Sequence, residues 1–288
     1  MSEKAKFYET FADHSVICNL CPHHCNLIPG KTGICGARRN NNGILIAESY
    51  GKATSLALDP IEKKPLYHFY PGSKILSLGS YGCNFHCGFC QNHSISIDYI
   101  QQKNTQFFSP EDIASVSMKY EPYGNIGMAY TYNEPLINYE FIYGCAELIA
   151  RQNQKNVFVT NGYICLEPLE ILLPFIHAMN IDVKSFNPKF YRDVGGNLDS
   201  VLTTVETASK KCHVEITTLV IPGKNDSPEE IYVLSKWLAG ISKNIPLHIS
   251  RFFPSYKWQH IPATPIATIM RLVDKARENL NFVYPGNC

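Results

Sequence analysis

Short apolar runs alternate with helical stretches along most of the chain, beginning at Lys74. Runs of this length, bounded by polar or Gly-containing segments, are typical of buried β-strands. The pattern predicts six strands, at residues 74–79, 126–131, 156–160, 179–184, 213–221 and 247–252.

Helix-start signals lie in several of the stretches between these strands. Ser109 and Ser227 each precede a proline and two acidic residues, which is the pattern of an N-cap followed by a helical first turn. Glu230 predicts a capping box with Ser227. Thr264, before Pro265, predicts the start of the last helix. Further helices are predicted at residues 136–152, 167–175 and 198–211.

Strands that alternate with helices predict βαβ units and a parallel sheet. Six such units make an α/β fold, an open, partial (β/α)6 barrel related to the TIM barrel. In parallel α/β folds the chemistry lies at the C-terminal ends of the strands. We therefore expect the functional residues directly after each strand.

Residues 1–72 follow a different pattern, with four clustered cysteines and little helical periodicity. We interpret them as a small Cys-rich metal-binding module with a connecting arm, and residues 73–288 as the barrel. The arm ends in a Pro-bounded aromatic stretch at residues 59–72, which contains Tyr67 and Tyr70. We expect this stretch either to pack against the barrel or to line the mouth of a substrate site.

Composition narrows the class of protein. The chain has 288 residues, of which 45% are hydrophobic and 18% charged, as in a globular enzyme rather than a disordered chain. A formal net charge of +1 argues against a nucleic-acid partner, which would normally require a basic excess. Charges interrupt the N-terminal stretch and no apolar run reaches about 18 residues, so neither a signal peptide nor a membrane span is expected. We expect a cytoplasmic protein with reduced thiols.

Eleven cysteines are many for such a chain, and most fall into two groups. In a reducing compartment, clustered cysteines are typical of metal ligands or catalytic thiols. The first group comprises Cys18, Cys21, Cys25 and Cys35. The second group comprises Cys83, Cys87 and Cys90. The cysteines at positions 145, 165 and 212 lie within or beside predicted helices and are expected to be core or surface thiols.

The second group forms a C-x3-C-x2-C sequence that begins four residues after the first predicted strand. Three thiolates on one short loop can hold three irons of a [4Fe–4S] cluster and leave the fourth iron free for a substrate or cofactor. The alternative is a structural zinc site that His86 or His93 would complete.

Cys83, Cys87 and Cys90, with the aromatic Phe89 before the third cysteine, resemble the radical S-adenosylmethionine (SAM) superfamily. The resemblance implies a radical SAM barrel in which SAM binds the open iron through its amino and carboxylate groups, with Phe89 in the cofactor site. It also implies that one electron cleaves SAM and frees a 5′-deoxyadenosyl radical, which abstracts hydrogen from a substrate.

A wider resemblance covers nearly the whole chain and is to radical SAM proteins of the AmmeMemoRadiSam type. It rests on the N-terminal cysteines with residues 22–24, on residues 59–72, on Gln91 and Asn92 after the third cluster cysteine, and on residues 131–135. This family is grouped with the pyruvate formate-lyase activating enzymes.

Asn133 and Glu134 follow the second predicted strand, where superfamily members carry a Gly-Gly-Glu-like motif that binds the amino group of SAM. The resemblance implies this role for both residues. The alternative is a glutamate that only starts a helix before Pro135.

Thr160 and Asn161 end the third predicted strand, and Asp182 and Lys184 lie on one face of the fourth. The resemblance to the activating enzymes implies that these polar groups face SAM. The alternative for Asp182 and Lys184 is a structural ion pair.

The last predicted strand departs from the pattern of the activating enzymes. Those enzymes place a histidine of a Pro-Tyr-His sequence on SAM, whereas Tyr256 stands at the aligned position here. We expect His248 or Arg251 to take this role, with packing as the alternative.

The first cysteine group has the spacing C-x2-C-x3-C-x9-C. Four thiolates can close a tetrahedral Zn²⁺ site or hold a second Fe–S cluster. The spacing favours zinc because it fits a closed knuckle. His23, His24 and Cys288 are alternative ligands.

Together the patterns predict an oxygen-sensitive, anaerobic radical SAM oxidoreductase similar to the pyruvate formate-lyase activating enzymes. We expect ferredoxin or flavodoxin as electron donor, and a protein glycine or a small metabolite as substrate. The alternative is a non-catalytic iron–sulfur electron-transfer or metal-binding protein, which would not need the polar residues at the strand ends.

Overall fold

The structure is a computed structural model that describes residues 3–98 and 105–288. Its strands are, in chain order, β1 (Glu3–Lys4), β2 (Tyr8–Thr10), β3 (Val16–Cys18), β4 (Asn26–Leu27), β5 (Arg38–Asn41), β6 (Ile44–Ala47), β7 (Lys52–Ala53), β8 (Ser55–Pro60), β9 (Lys74–Gly79), β10 (Gln106–Phe107), β11 (Asn125–Tyr130), β12 (Lys155–Thr160), β13 (Ala178–Asp182), β14 (His213–Val220), β15 (Leu247–Arg251) and β16 (Val283–Gly286). Its α-helices are α1 (His93–Ser96), α2 (Pro110–Lys119), α3 (Tyr139–Arg151), α4 (Leu166–Leu172), α5 (Pro188–Asp193), α6 (Leu198–Ala208), α7 (Pro228–Ile241) and α8 (Ile266–Arg277).

Within the described residues the largest sheet has eight strands, in the order β16-β15-β14-β13-β12-β11-β9-β8. Neighbours from β9 to β16 pair in parallel. The six predicted strands are all present, with bounds that differ by at most two residues. This mostly parallel sheet confirms the predicted α/β class.

The two edge strands, β8 and β16, were not predicted, so the sheet exceeds the expected six strands. β8 pairs antiparallel with β9, and β16 pairs parallel with β15. Both contain a proline, which removes a backbone donor and argues against a central strand but is tolerated at an edge. β8 belongs to the segment predicted as module and arm; the domain boundary at residue 72 stays a prediction.

The remaining strands of the N-terminal part are short and antiparallel. β1, β6 and β5 form one small sheet, and β2, β3 and β4 form another. β7 pairs with β10. Turns connect most of these strands, in agreement with the absence of helical periodicity in the sequence of this part.

Side-chain caps explain where two of the helices begin. Ser109 accepts a hydrogen bond from the backbone N–H of Asp112, whose carboxylate accepts from the Ser109 N–H, so α2 starts with a full capping box. Ser227 accepts from the Glu230 N–H at the start of α7. The predicted capping box at α7 is wrong, however, because the Glu230 carboxylate instead accepts from the Ser185 hydroxyl.

The aromatic arm, residues 59–72, packs against the sheet. Ile61 and Leu66 are fully buried in one cluster with Ile75, Val157 and Ala178 from the strands. The Tyr67 ring contacts side chains of β15 and β16, although Tyr67 itself is exposed. These contacts favour the packing alternative for the arm.

Glu215 fixes the arm to the middle of the sheet. Its buried carboxylate accepts hydrogen bonds from the backbone N–H groups of Tyr67 (3.0 Å) and His68 (2.7 Å). It also contacts the rings of His213 (2.9 Å) and His248 (2.6 Å). Burial alone would raise the pKa of Glu215, but the histidine contacts and the two backbone donors lower it to about 2.

Within residues 3–98 and 105–288, every helix is too short or too polar to cross a membrane.

We predict that Glu215→Gln destabilises the folded protein at pH 7 by about 2–3 kcal/mol, because one pKa unit corresponds to about 1.4 kcal/mol. The folded-state pKa lies below the ordinary value of 4.5, so this stability is present above pH 4.5 and is lost as the pH falls toward 2. The midpoint of anaerobic urea denaturation measures the effect. Glu170→Gln, at an exposed position, is the control. Equal midpoints for the two variants at pH 7 would contradict the assignment.

Candidate cluster and cofactor site

The three cysteines of the second group lie on the loop between β9 and α1, at the C-terminal edge of the sheet. Cys87 is buried, and Cys83 and Cys90 are half-buried. Burial raises the pKa of Cys87 to about 12, and it also raises the pKa values of Cys83 and Cys90. Charges on Cys87 and Cys90 further raise the pKa of Cys83, and a charge on Cys90 raises that of Cys87. Three thiolates at this position therefore require a cationic group among them.

Donor chemistry is the basis on which this loop fits an iron–sulfur cluster. In residues 3–98 and 105–288, no group of three or more His, Cys, Asp and Glu side chains has the arrangement of a formed metal site. The loop nevertheless supplies three neighbouring thiols, and thiolates are the ligands of such clusters. His86 is exposed, and His93 contacts the Asp98 carboxylate at 2.9 Å and stacks on Tyr256. These positions argue against a zinc site completed by either histidine.

Amide side chains hold the cysteine loop in place. Asn133, directly after β11, accepts a hydrogen bond from the Ser80 N–H (2.9 Å) and donates to the Gly82 carbonyl (3.1 Å). Asn84, beside the first cysteine, donates to the Tyr163 carbonyl (2.7 Å). A loop without regular structure needs such partners for its buried backbone groups. The contact of Asn133 with SAM stays a prediction, and Asn84 was missed although it lies inside the cysteine motif.

Glu134 lies beside this loop, with its carboxylate buried. It accepts hydrogen bonds from the Thr160 hydroxyl (2.7 Å) and from the backbone N–H groups of Asn161 (2.8 Å) and Leu136 (3.0 Å). Burial raises the pKa of Glu134 to about 7, although these bonds lower it, and the carboxylate in turn raises the pKa of Cys83. The hydrogen bond from the Leu136 N–H also caps the 3-10 turn that follows. Glu134 therefore takes part in a helix start as well, which was the alternative role for this residue.

Asn161 connects Glu134 to the cysteine loop. Its side-chain N–H donates to the side-chain Oδ1 of Asn84 (2.8 Å), and the same nitrogen lies 3.7 Å from the Cys83 sulfur. The side-chain Oδ1 of Asn161 accepts from the Tyr163 N–H at 2.9 Å. The predicted residues Glu134 and Asn161 are therefore brought together beside Cys83.

Asp182 and Lys184 form the predicted ion pair, with 2.6 Å between the Lys184 Nζ and the Asp182 carboxylate. Burial disfavours the charge of Lys184, but Asp182 and the neighbouring Cys87 outweigh it and raise its pKa. The Lys184 backbone N–H donates to the hydroxyl of Tyr191 (3.0 Å). The structure thus places a half-buried cation beside Cys87, and a contact with SAM stays a prediction.

Phe89 is buried against Trp258 and Phe190, with ring centroids 5.1 and 6.0 Å away. Trp258 also covers Gly88, where an added Cβ would lie 2.4 Å from the indole nitrogen. The backbone N–H of Lys257 donates to the Gly88 carbonyl at 2.9 Å. The segment after β15 therefore packs on the cysteine loop. The sequence signal for this contact was the aromatic pair Tyr256 and Trp258 after the last predicted strand.

His248 and Arg251 have their polar atoms engaged by other protein groups. His248 is buried against Glu215, and the Arg251 Nε donates to the Thr264 carbonyl at 2.5 Å. The Thr264 hydroxyl donates to the Val220 carbonyl (2.6 Å), and the last helix begins two residues later, at Ile266, as predicted. These contacts favour the packing alternative for both His248 and Arg251.

The family model of the radical SAM superfamily matches residues 78–234. An uncharacterized protein of Methanocaldococcus jannaschii is 43% identical over 99% of this chain and 85% of its own length. A radical SAM methyltransferase from Sphaerobacter thermophilus has a similar fold, with 16% identity, a TM-score of 0.58, and coverage of 75% of this chain and 67% of that chain. SuiB of Streptococcus suis, solved with S-adenosylmethionine bound, is also similar, with 16% identity, a TM-score of 0.55, and coverage of 72% and 48%.

The chain belongs to the radical SAM superfamily. Membership implies an enzyme that uses a [4Fe–4S] cluster and SAM for radical chemistry, with an electron donor and a substrate. The matched segment contains the cysteine loop together with Glu134, Asn161 and Lys184.

We predict that Gly82→Ala lowers the iron bound after anaerobic reconstitution. Gly82 has a φ of +86°, and a Cβ there would lie 2.4 Å from the Cys35 carbonyl oxygen. The positive φ alone costs about 1–3 kcal/mol for a non-glycine residue, and the close contact adds to it. Iron and sulfide per chain measure the outcome.

Gly240→Ala is the matched control, because a Cβ at Gly240 in α7 meets no atom within 4 Å. Wild-type iron content in the Gly82→Ala protein would contradict the prediction.

Proposed function

We propose that Cys83, Cys87 and Cys90 hold a [4Fe–4S] cluster with one iron left open for SAM, and that the enzyme generates a 5′-deoxyadenosyl radical for hydrogen abstraction. When bound, the cluster supplies the electron that breaks a C–S bond of SAM, giving methionine and the radical. The protein's own residues bind and orient SAM and exclude water.

Glu134 is the observation that supports this proposal most. In the described part of the chain its hydrogen-bond donors are the neutral groups of Thr160, Asn161 and Leu136. Burying a carboxylate without a directly bonded cation is unfavourable unless a ligand supplies a strong donor. The amino group of SAM is a neutral amine when it binds iron, and the metal polarises its N–H bonds, so it can donate to this carboxylate. Glu134 lies close enough to Cys83 to raise the pKa of that thiol.

Lys184 is the complementary group for the carboxylate of SAM. It is positively charged, half-buried and a neighbour of Cys87, and it pairs with Asp182. A carboxylate on Glu134 and an ammonium on Lys184 thus lie near different cysteines of one loop. This arrangement matches an amino-acid group that chelates one iron, because Glu134 can accept from its amine and Lys184 can pair with its carboxylate.

A non-catalytic electron carrier is the alternative function. Such a protein needs a dry, hydrogen-bonded cluster site but gains nothing from Glu134, whose burial works against its charge. The buried carboxylate therefore favours the enzyme. We propose ferredoxin or flavodoxin as electron donor, and either a protein glycine, as in activating enzymes, or a small metabolite as the hydrogen donor.

We predict that the reconstituted wild type, reduced with dithionite under anaerobic conditions, converts SAM to 5′-deoxyadenosine and that Cys87→Ala does not. Cys212→Ala, which removes a thiol outside both cysteine groups, is the matched control and should retain activity. Chromatography of the products measures the outcome. A full cluster that yields no 5′-deoxyadenosine in the wild type would favour the carrier.

We further predict that Glu134→Gln keeps its iron but binds SAM at least roughly tenfold more weakly, since a buried charge-assisted hydrogen bond contributes about 1.5–3 kcal/mol. Equilibrium binding of SAM to the reconstituted protein measures the change, with Glu170→Gln as control. Unchanged affinity in Glu134→Gln would contradict the role of this carboxylate.

The class of hydrogen donor follows from isotope transfer. Deuterated protein and deuterated small-molecule fractions of a cell extract are supplied separately to the reduced enzyme with SAM. Deuterium in 5′-deoxyadenosine from the protein fraction supports an activating enzyme, whereas transfer from the small-molecule fraction supports a metabolite enzyme.

A further inference from the structure

The first cysteine group lines a small cavity separate from the cluster site. Cys18 ends β3, Cys21 and Cys25 lie in the turn that leads to β4, and Cys35 precedes β5. All four are free thiols, and they face one enclosed space together with Arg38. The cavity thus brings together four cysteines of which the first, Cys18, and the last, Cys35, are 17 positions apart in the sequence.

The size of this cavity is on the scale of a single ion. Its volume is about 10 Å³, which is about the space for one water molecule. The spacing C-x2-C-x3-C-x9-C also fits a closed knuckle around one zinc ion. We propose that Cys18, Cys21, Cys25 and Cys35 bind one Zn²⁺ ion.

Arg38 provides the electrostatic support that this site needs. Four thiolates and one Zn²⁺ ion carry a formal charge of −2. The Arg38 guanidinium is almost completely buried, donates to the Cys18 sulfur at 3.7 Å, and pairs with Glu140. Its Nε has no hydrogen-bond partner within the described residues. A buried cation with an unused donor stabilises a negatively charged site beside it.

The histidines that the sequence offers as alternative ligands bond to other groups through one ring nitrogen each. The His23 Nε2 donates to the Asn84 backbone carbonyl at 2.7 Å. The His24 Nδ1 contacts the Asn19 side chain at 2.9 Å. Cys288 is exposed. In residues 3–98 and 105–288 no set of these side chains has the geometry of a formed metal site, and the proposed ligand set rests on the cavity that the four thiols share.

The proposed zinc site is joined directly to the loop of the cluster site. His23, between two zinc ligands, bonds to Asn84, the residue after Cys83. The Cys35 carbonyl lies against Gly82, the residue before it. The ion thus fixes the N-terminal segment that supports Cys83 from both sides, which is a positioning role independent of the radical chemistry.

The test uses the full chain with Cys83, Cys87 and Cys90 changed to alanine, so that any retained metal belongs to the N-terminal group. We expect about one zinc per chain by elemental analysis, falling at least tenfold when Cys21→Ser and Cys35→Ser are added. Cys212→Ser in the same background is the control and should keep its zinc. Iron with acid-labile sulfide, mononuclear iron, or no metal in the parent variant would overturn the proposal.

A second measurement does not depend on the folding of the serine variants. X-ray absorption at the zinc edge of the parent variant should show only sulfur neighbours, at about 2.3 Å. A shell that contains nitrogen or oxygen would overturn the four-cysteine ligand set. Neither result depends on 5′-deoxyadenosine formation, so failure of the zinc proposal and failure of the proposed function are distinguishable.

Discussion

The site depends on one electrostatic constraint, a carboxylate buried beside a loop of thiols. Glu134 is held by neutral donors from β12 and from its own turn, and burial moves its pKa to about 7. Negative groups this close together oppose one another until cations join them. The irons of the cluster supply that positive charge, and the iron-bound amino group of SAM supplies polarised N–H donors. The repulsion between these buried negative groups is relieved when the cluster and SAM bind, and this relief contributes to the affinity of the site for both.

The cysteine loop has little regular structure, and three parts of the chain supply its hydrogen-bond partners. Asn133 follows β11, Asn161 follows β12, and His23 comes from the N-terminal part. Asn133 bonds to Ser80 and Gly82, and both Asn161 and His23 bond to Asn84. The parallel sheet and the N-terminal segment therefore define the position of the loop jointly. Preorganisation of this kind lets the reactive atoms of a bound cofactor meet a substrate in one orientation.

The sequence was sufficient to predict the parallel strands, and it also named side chains that the structure brings together beside the cysteine loop, because both have local signals. Apolar runs define the strands, and Glu134, Asn161 and Lys184 stand at or just after strand ends, where parallel α/β folds place their chemistry. Their spatial proximity follows from the strand order. The sequence also located the cysteine loop, because its spacing is compact.

Features that depend on tertiary partners could not be predicted in this way. Glu230 has the spacing of a capping box, but a nearer donor on Ser185 takes its carboxylate. His248 lies on a strand near the site, yet Glu215 on the neighbouring strand engages its ring. For both residues the competing partner is distant in sequence. The edge strand β16 contains a proline, which argues against a strand, and it was not predicted.

The central claim is that one iron has no protein ligand and binds the amino-acid end of SAM beside Glu134. Electron–nuclear double resonance of the reduced cluster with SAM labelled by ¹⁵N in its amino group tests this most directly. The account predicts a ¹⁵N coupling that appears on addition of SAM and is lost or strongly reduced in Glu134→Gln. A cluster spectrum that SAM leaves unchanged, with a fourth ligand from the protein, would contradict it.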